Sequence, residues 1–431
     1  MRKTRRTRST RSTRSTSRTR RTRRTLFIAL TATGALVSVA ACGSGSGSSA
    51  SSGDSRTYAF WDPYPQFDAS SDWGKRVAEC GTRAGVTIKR TAYDTTDLGN
   101  KALLAAQQGN APDVMLVDNP VVSTLVEAGI LNKTSDLGLD TASIQKNIIG
   151  AGTLDGAAYG IPVGANTLAL YYNKKILAAA QVDPASVKDW ASLTAALKKV
   201  KAAGKKGITF SAINTEEGSF QFLPWFWGAG GDLTQLDSAE GTAALTLWKD
   251  WVDAGYAPKD VLNNTQTTSW QEFATGDYAF SENGTWQLGN ADKAGFGYGI
   301  INIPGQNGGS APVPTGGEFV TVPVQKDTAR YDVSKKIVTC LTSPTSLLAT
   351  DTTLMYVAPT AAVQAQQVAK NAELKPWVAA VAAARGRTSG GLGTKYPGIS
   401  QPLWTAVQSA LSGGKSPQAA LDTAQSAAGK G

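Results

Sequence analysis

The sequence predicts an α/β fold of two lobes, and three observations carry that prediction. Short apolar runs of strand length alternate with longer runs of helical period through the first third of the chain. The alternation starts again in the middle third. A strand-like run and helices then return near the end, so the chain crosses between lobes more than once. At 431 residues there is room for two or three cores.

The elements follow in order. "TYAFW" (57–61) reads as a strand, "SDWGKRVAECGTRAG" (71–85) as a helix stopped by glycine, and "VTIKRTAY" (86–93) as a strand of period two. "TDLGNKALLAAQQGN" (96–110) is a second helix and "PDVMLVD" (112–118) a buried strand. Strand, helix, strand, helix, strand predicts a parallel, doubly wound sheet, with ligands bound beyond the carboxyl ends of its strands. Trp61, Asp62, Asp118 and Asn119 lie at two such ends.

The middle third offers "TLALYYNK" (167–174) and "ITFSA" (208–212) as strands. The helix at 190–204 carries Leu193, Leu197 and Val200 on one face. In the helix at 238–255, Ala244, Leu247, Trp248, Trp251 and Val252 form one stripe, which is the pattern of core packing. "FVTVPV" (319–324) is a late strand and "LWTAVQSALSGG" (403–414) a late helix. The stretch "FATGDYAFSENGTW" (273–286) divides into a helix end at 273–275, a turn at Gly276, a strand through Tyr278 and Phe280, and an exit turn at Asn283 and Gly284 that delivers Trp286.

Charge is distributed unevenly. Twelve Lys and Arg fall within residues 1–25 without an acid, and removing them from the net +10 leaves −2 for the rest, so no nucleic-acid footprint remains. The uncharged "LFIALTATGALVSVAAC" (26–42) follows, and basic head, apolar run and small residues together read as an export signal. Val39-Ala40-Ala41-Cys42 resembles a lipobox, in which Cys42 is acylated and begins the mature chain. The pair Arg23-Arg24 leaves the general and the twin-arginine export routes both open. A Gly/Ser tether (42–56) then leashes the body to the outer face of the membrane, the lipid being its one attachment. Cys80 and Cys340 form either a disulfide or a pair of buried thiols. The sequence has no histidine, which excludes a His-dependent triad and His metal ligation, and no metal or cofactor is expected.

Six segments, in this order, resemble the extracellular solute-binding proteins of bacterial ABC importers, most closely the sugar-binding, maltose-binding-protein-like group. They are "PDVMLVDNPVVSTLVEAGILNKTSDL" (112–137), "LDGAAYGIPVGANTLALYYNK" (154–174), "DWASL" (189–193), "WGAGGDL" (227–233), "FATGDYAFSENGTW" (273–286) and "GKSPQAALDTA" (414–424). Tyr278 and Phe280 depart from the small and Met residues usual in the fifth segment. The resemblance implies a type II periplasmic-binding-protein-like fold, with a ligand cleft between lobes joined by hinge crossovers. It places the amino-terminal lobe at 57–164 plus 319–360 and the carboxy-terminal lobe at 165–318 plus 361–431. The crossovers fall near Val163–Asn166, near Thr315–Phe319 and after Pro359. A monomer that captures a sugar without catalysis and hands it to permease subunits is the implied function.

A sugar site needs flat aromatic platforms and polar side chains that serve paired hydroxyls. Trp61, Trp225 and Trp286 are the candidate platforms, Trp286 through the resemblance; Trp61 serves equally as a cover for the core edge. Asp118, Asn119, Asn166, Glu217, Glu318 and Tyr356 are the candidate polar contacts, Asn166 through the resemblance. Asp118 and Asn119 serve equally as a cap on the next helix. Glu216 and Glu217 are adjacent in what reads as extended chain, so at most one of them faces the cleft. Two rival functions stay open: a binder of another solute such as a polyamine or peptide, and a glycoside hydrolase, whose paired carboxylates nothing in the sequence localises.

Overall fold

A computed structural model describes residues 56 to 428. The export signal (1–41), Cys42 and the tether up to residue 55 lie outside the described residues.

The first strand, β1 (Thr57–Asp62), buries every second side chain: Tyr58, Phe60 and Asp62 point inward. Helix α1 (Asp72–Arg83) starts where Ser71 accepts from the Gly74 amide, and it presents Trp73, Val77 and Cys80 to the core. Strand β2 (Thr87–Ala92), helix α2 (Thr95–Gln107), strand β3 (Val114–Asp118) and helix α3 (Asn119–Glu127) follow. Strand β1 lies between β2 and β3 and runs parallel to both, as the alternation predicts.

The expectation of a wholly parallel sheet does not hold beyond these three strands. The late strand Glu318–Thr321 pairs antiparallel with β3, and Ile161–Pro162 pairs antiparallel with it in turn. That strand arrives from the other lobe and not through a helix on the same sheet, so the parallel, right-handed crossover rule does not govern it.

The second sheet is mixed as well. Its order is Tyr298–Ile301, Leu168–Asn173, Tyr278–Gly284 and Lys206–Thr209, and only the last pair is parallel. The strand expected at 208–212 is shifted toward its start, because Phe210, Ser211 and Ala212 leave the ladder while remaining buried. Its core is built on the predicted stripes: Leu193, Leu197, Val200, Ala244, Trp248 and Trp251 are all buried. The late helix spans Tyr396–Leu411, beginning two turns before the expected start and carrying Pro402 inside it.

The stretch 273–286 departs from expectation in one place. Gly276 turns the chain with φ of +81°, as read, but the strand runs unbroken from Tyr278 to Gly284. Asn283 and Gly284 are therefore buried strand residues and not an exit turn; Gly284 pairs with Leu168. Glycine is required there because the Trp286 ring folds back over it, and a Cβ would lie 2.0 Å from that ring.

Cys80 and Cys340 form a disulfide, which settles the alternative left open by the sequence; it joins α1 to the helix Tyr331–Leu341 with Cα atoms 5.6 Å apart. The bond closes a loop with a sequence separation of 260. Replacing both cysteines by serine is expected to lower the unfolding free energy by about 2–5 kcal/mol, because the unfolded chain regains the freedom the bond removes. Denaturant titration of the variant, and of the native protein with and without reductant, checks this. Coincident curves would refute it.

Candidate ligand site between the lobes

Three backbone segments meet between the two sheets. Ala165 pairs with Val357 and Asn166 with Gly316 as isolated bridges, so the segments around 165, 316 and 357 are hydrogen-bonded side by side. Gly317 has φ of +114° and packs so closely that a Cβ would lie 2.4 Å from the Gly164 carbonyl oxygen. At Gly316 a Cβ would lie 2.0 Å from the Asn166 amide oxygen. At Gly317 the backbone contact and the positive φ require glycine.

These segments place Asn166, Glu318 and Tyr356 together, all buried. Tyr356 donates to Glu318 Oε1 at 3.3 Å, and Glu318 stands opposite Asp118 in the register of the sheet. A fourth group comes from the loop after β1. Asp62 is fully buried and accepts from the Arg90 guanidinium, from the Trp73 indole at 3.2 Å and from the Tyr64 amide at 3.0 Å. Arg90 also donates to the Tyr64 carbonyl at 2.7 Å. This knot fixes Tyr64, whose buried hydroxyl meets Glu318 and Tyr356. Burial, and next the charge of Asp118, push the Glu318 carboxyl up to about 8.

Facing this group across the lobes is Arg387, whose side chain is 2% exposed. Its Nη2 donates to Asp118 Oδ1 at 3.1 Å and to the Asn119 side-chain oxygen at 3.0 Å. Its Nη1 donates to Glu216 Oε1 at 2.8 Å, and its guanidinium lies 4.7 Å from the centre of the Phe220 ring. Burial would lower its proton affinity, but Asp118 and Glu216 more than offset that and hold it above the ordinary arginine value. Nε remains buried without a partner.

The structure sorts the sequence candidates. Trp286 is half-buried and touches the cores of both lobes, with Phe220 6.5 Å away between ring centres. Trp61 is half-buried and stands edge-on to Tyr93 at 5.1 Å. Trp225 is corrected: it is fully buried in the second core, between Trp190 and Trp251, and donates to the buried Glu282 at 2.8 Å. As part of a helix of mixed pattern, its contacts are set from several directions at once. Asn119 is also drawn inward, where its amide donates to the Thr315 carbonyl at 2.9 Å and its oxygen serves Arg387. Asp118 does cap α3, accepting from the Asn119 amide at 2.9 Å, and still turns its carboxylate to Arg387. Glu216 and Glu217 open the helix Glu216–Gly228 and are not in extended chain. Glu216 is saturated by Arg387, Tyr396 and Ser400, while Glu217 stays half-exposed and accepts one bond, from the Gln266 amide at 2.8 Å. Burial is the main cause that raises the Glu217 carboxyl, with Asp118 and Asp94 adding to it.

Arg387 and Tyr64 had no place among the sequence candidates. The one signal for Arg387 was "ARGR" (384–387), a basic pair in a stretch otherwise made of small residues. Nothing local marks Tyr64.

The Glu318 carboxyl stays neutral in the folded protein over a range where it ionises once unfolded. Its contribution to stability is therefore full below about pH 4.3 and is lost as pH rises through about 8. Glu318→Gln keeps the shape and removes the titration. The variant is expected to melt above the native protein at pH 8, with the gap closing toward pH 4. Melting curves of parallel pH dependence would overturn this assignment.

The family model for bacterial extracellular solute-binding proteins matches residues 75–376. The maltodextrin-binding protein MdxE of Bacillus subtilis is 27% identical over 304 residues, 68% of this chain and 70% of that protein. A maltooligosaccharide ABC transporter solute-binding lipoprotein of Streptococcus pneumoniae is 28% identical, over 51% of this chain and 53% of its own length. Among solved structures, an ABC transporter solute-binding protein of Thermotoga lettingae bound with α-D-tagatose superposes with a TM-score of 0.75 at 22% identity, covering 87% of this chain and 99% of that one. The two lobes, the crossovers between them and the family match agree: the chain belongs to the bacterial extracellular solute-binding proteins.

Proposed function

We propose that the protein captures a carbohydrate between its lobes, leaves it chemically unchanged, and delivers it to the permease of an ABC importer. The observation that carries this reading is the mixture of unpartnered buried atoms around the crossovers. Thr285 Oγ1, Thr315 Oγ1 and Arg387 Nε include both donors and acceptors. A ring of hydroxyls, each donating and accepting, satisfies such a set, while the Trp286 ring provides an apolar face beside it. The maltodextrin bound by the Bacillus subtilis relative and the α-D-tagatose bound by the Thermotoga lettingae protein support the same class.

Contacts from Trp61, Asp118, Asn166, Glu217, Trp286, Glu318 and Tyr356 belong to this proposal. So do a monomeric state and anchorage through an acylated Cys42 on the outer face of the membrane, read from the amino-terminal sequence. The binding role, as opposed to hydrolysis, is supported by the family and by the use of the buried acids. Glu216 and Asp118, two of the acids there, are held by Arg387.

The test is a panel of mono- and oligosaccharides against the purified protein, read by thermal shift and tryptophan fluorescence. A hit is expected to raise the melting temperature and to be recovered unaltered after long incubation. Trp286→Ala is expected to weaken that hit by about 1–3 kcal/mol, the worth of a lost aromatic platform, while Trp225→Phe destabilises the fold without this selective loss. Turnover of the ligand, or binding confined to a non-carbohydrate class, would overturn the reading.

A further inference from the structure

The segment around Val357, one of the three that join the lobes, begins at a turn in an unusual backbone conformation. Met355 ends the helix Pro344–Leu354 with φ of +55° and ψ of +39°, the left-handed region in which helix ends commonly place glycine. Asp155 and Gln181 are the other residues besides glycine with positive φ among the described residues, and both are polar. A bulky apolar side chain is strained there.

That conformation decides where the side chain goes. Leu354 and Tyr356, on either side of Met355, are buried in the core of the first sheet with Phe60 and Val77. Met355 is turned away from them and packs on a different cluster, that of Tyr171, Leu288 and Ala291 under the second sheet. Its Cε is the nearest atom to the side-chain position of Gly289, where an added Cβ would lie 3.3 Å from it. The same turn is seated on the first crossover segment, because a Cβ added at Gly164 would lie 2.2 Å from Asp351 Oδ1 and 2.9 Å from Tyr356 Cβ. Glycine in place of Met355 would relieve the strain, but it would also remove this reach from one core to the other. The strained residue is therefore a junction between the lobes.

Met355 also carries the accessible sulfur. Among the described residues Cys80 and Cys340 are bonded to each other and Met115 is 0% exposed, whereas Met355 is half-buried. Methionine suits an irregular gap because its chain is flexible, and its thioether is open to two-electron oxidation.

We propose that Met355 is a modification site for hydroperoxides, and that its oxidation to the sulfoxide loosens the junction between the lobes. A lone pair of the sulfur attacks the terminal peroxide oxygen, the O–O bond breaks, and the proton on the attacked oxygen passes to the leaving oxygen, which departs as water or an alcohol. Sulfur gives up two electrons and gains the S–O bond, and the peroxide is reduced. The product is polar, and its oxygen is a hydrogen-bond acceptor set among the apolar side chains of Leu288 and Ala291. Keeping the contact then costs a desolvated acceptor, and separating the two cores relieves that cost. The proposal is independent of which solute the cleft takes.

The test treats the purified full chain with hydrogen peroxide and follows each methionine by mass spectrometry of its peptides. Met355 is expected to be oxidised while the protein is folded, and Met115 to stay reduced. Oxidation is expected to lower the melting temperature by about 2 °C or more and to raise the radius of gyration measured by small-angle X-ray scattering. Met355→Leu keeps an apolar side chain and has no sulfur, so its melting and scattering are expected to be unmoved by peroxide. Met355→Gln, polar at the same point, is expected to show the shift without peroxide. A Met355 that stays reduced in the folded protein would overturn the site. Oxidised Met355 with unchanged melting and scattering, or the same response to peroxide in Met355→Leu, would overturn its role at the junction. The peptide and scattering results on the native protein decide the matter even where a variant does not fold.

Discussion

The guanidinium of Arg387 joins the two halves of the molecule through charge. It is 2% exposed and pairs with Asp118, which ends a strand of the first sheet, and with Glu216, which begins a helix of the second core. A buried ion pair is weak evidence of net stability, because desolvation of both partners opposes their attraction. Its consequence is geometric. Once the arginine is desolvated, loss of either partner leaves a bare charge, so the relative placement of Asp118 and Glu216 is strongly constrained. Both carboxylates are themselves fixed locally: Asp118 by capping α3, and Glu216 by the hydroxyls of Tyr396 and Ser400. The bridge ties these rigid points to one another, and Asn119 extends it to the crossover by donating to the Thr315 carbonyl.

A second charged knot does the same work inside the first lobe. Asp62 and Arg90 leave the loop after β1 little freedom, since Arg90 holds the Tyr64 carbonyl as well as the buried carboxylate. Tyr64 therefore reaches Glu318 by being tied down, not by belonging to a regular element. The two arginines have different consequences. Arg90 positions a side chain within one lobe, whereas Arg387 couples lobes that hinge motion would otherwise separate.

Much of the first lobe was legible in the sequence because its signals are local. Alternation in Thr57–Asp62, the serine cap at Ser71 and the positive-φ glycines Gly85 and Gly109 each act within a few residues. The reading failed where distant partners decide. The late strand lies antiparallel because of where it enters the sheet, and Gly284 stays in a strand because the Trp286 ring needs its missing side chain. Trp225 was proposed as a platform on residue type alone, but type does not distinguish a tryptophan whose N–H serves a buried Glu282 from one left half-open to the cleft. Arg387 and Tyr64 escaped for the same reason: their partners lie 269 and 254 residues away, at Asp118 and Glu318, and no local pattern encodes them.

Three of the proposed contacts share a further property. Asn166, Glu318 and Tyr356 stand on, or next to, the three segments that connect the lobes, and those segments are hydrogen-bonded to one another through Ala165 with Val357 and Asn166 with Gly316. In many clefts the contacting side chains sit on the lobes and the hinge moves at a distance. Here a ligand that engages Glu318 touches the residue after Gly317, whose backbone at φ of +114° is open to glycine alone. Such a ligand biases hinge conformations through its differential contacts with them, with no chain of intermediaries needed. Charge acts at the same place, because burial and then the Asp118 carboxylate disfavour ionising Glu318. The glycine segment and the arginine bridge are thus joined, because Asn119, which accepts from Arg387, also donates to the carbonyl of Thr315 beside Gly316.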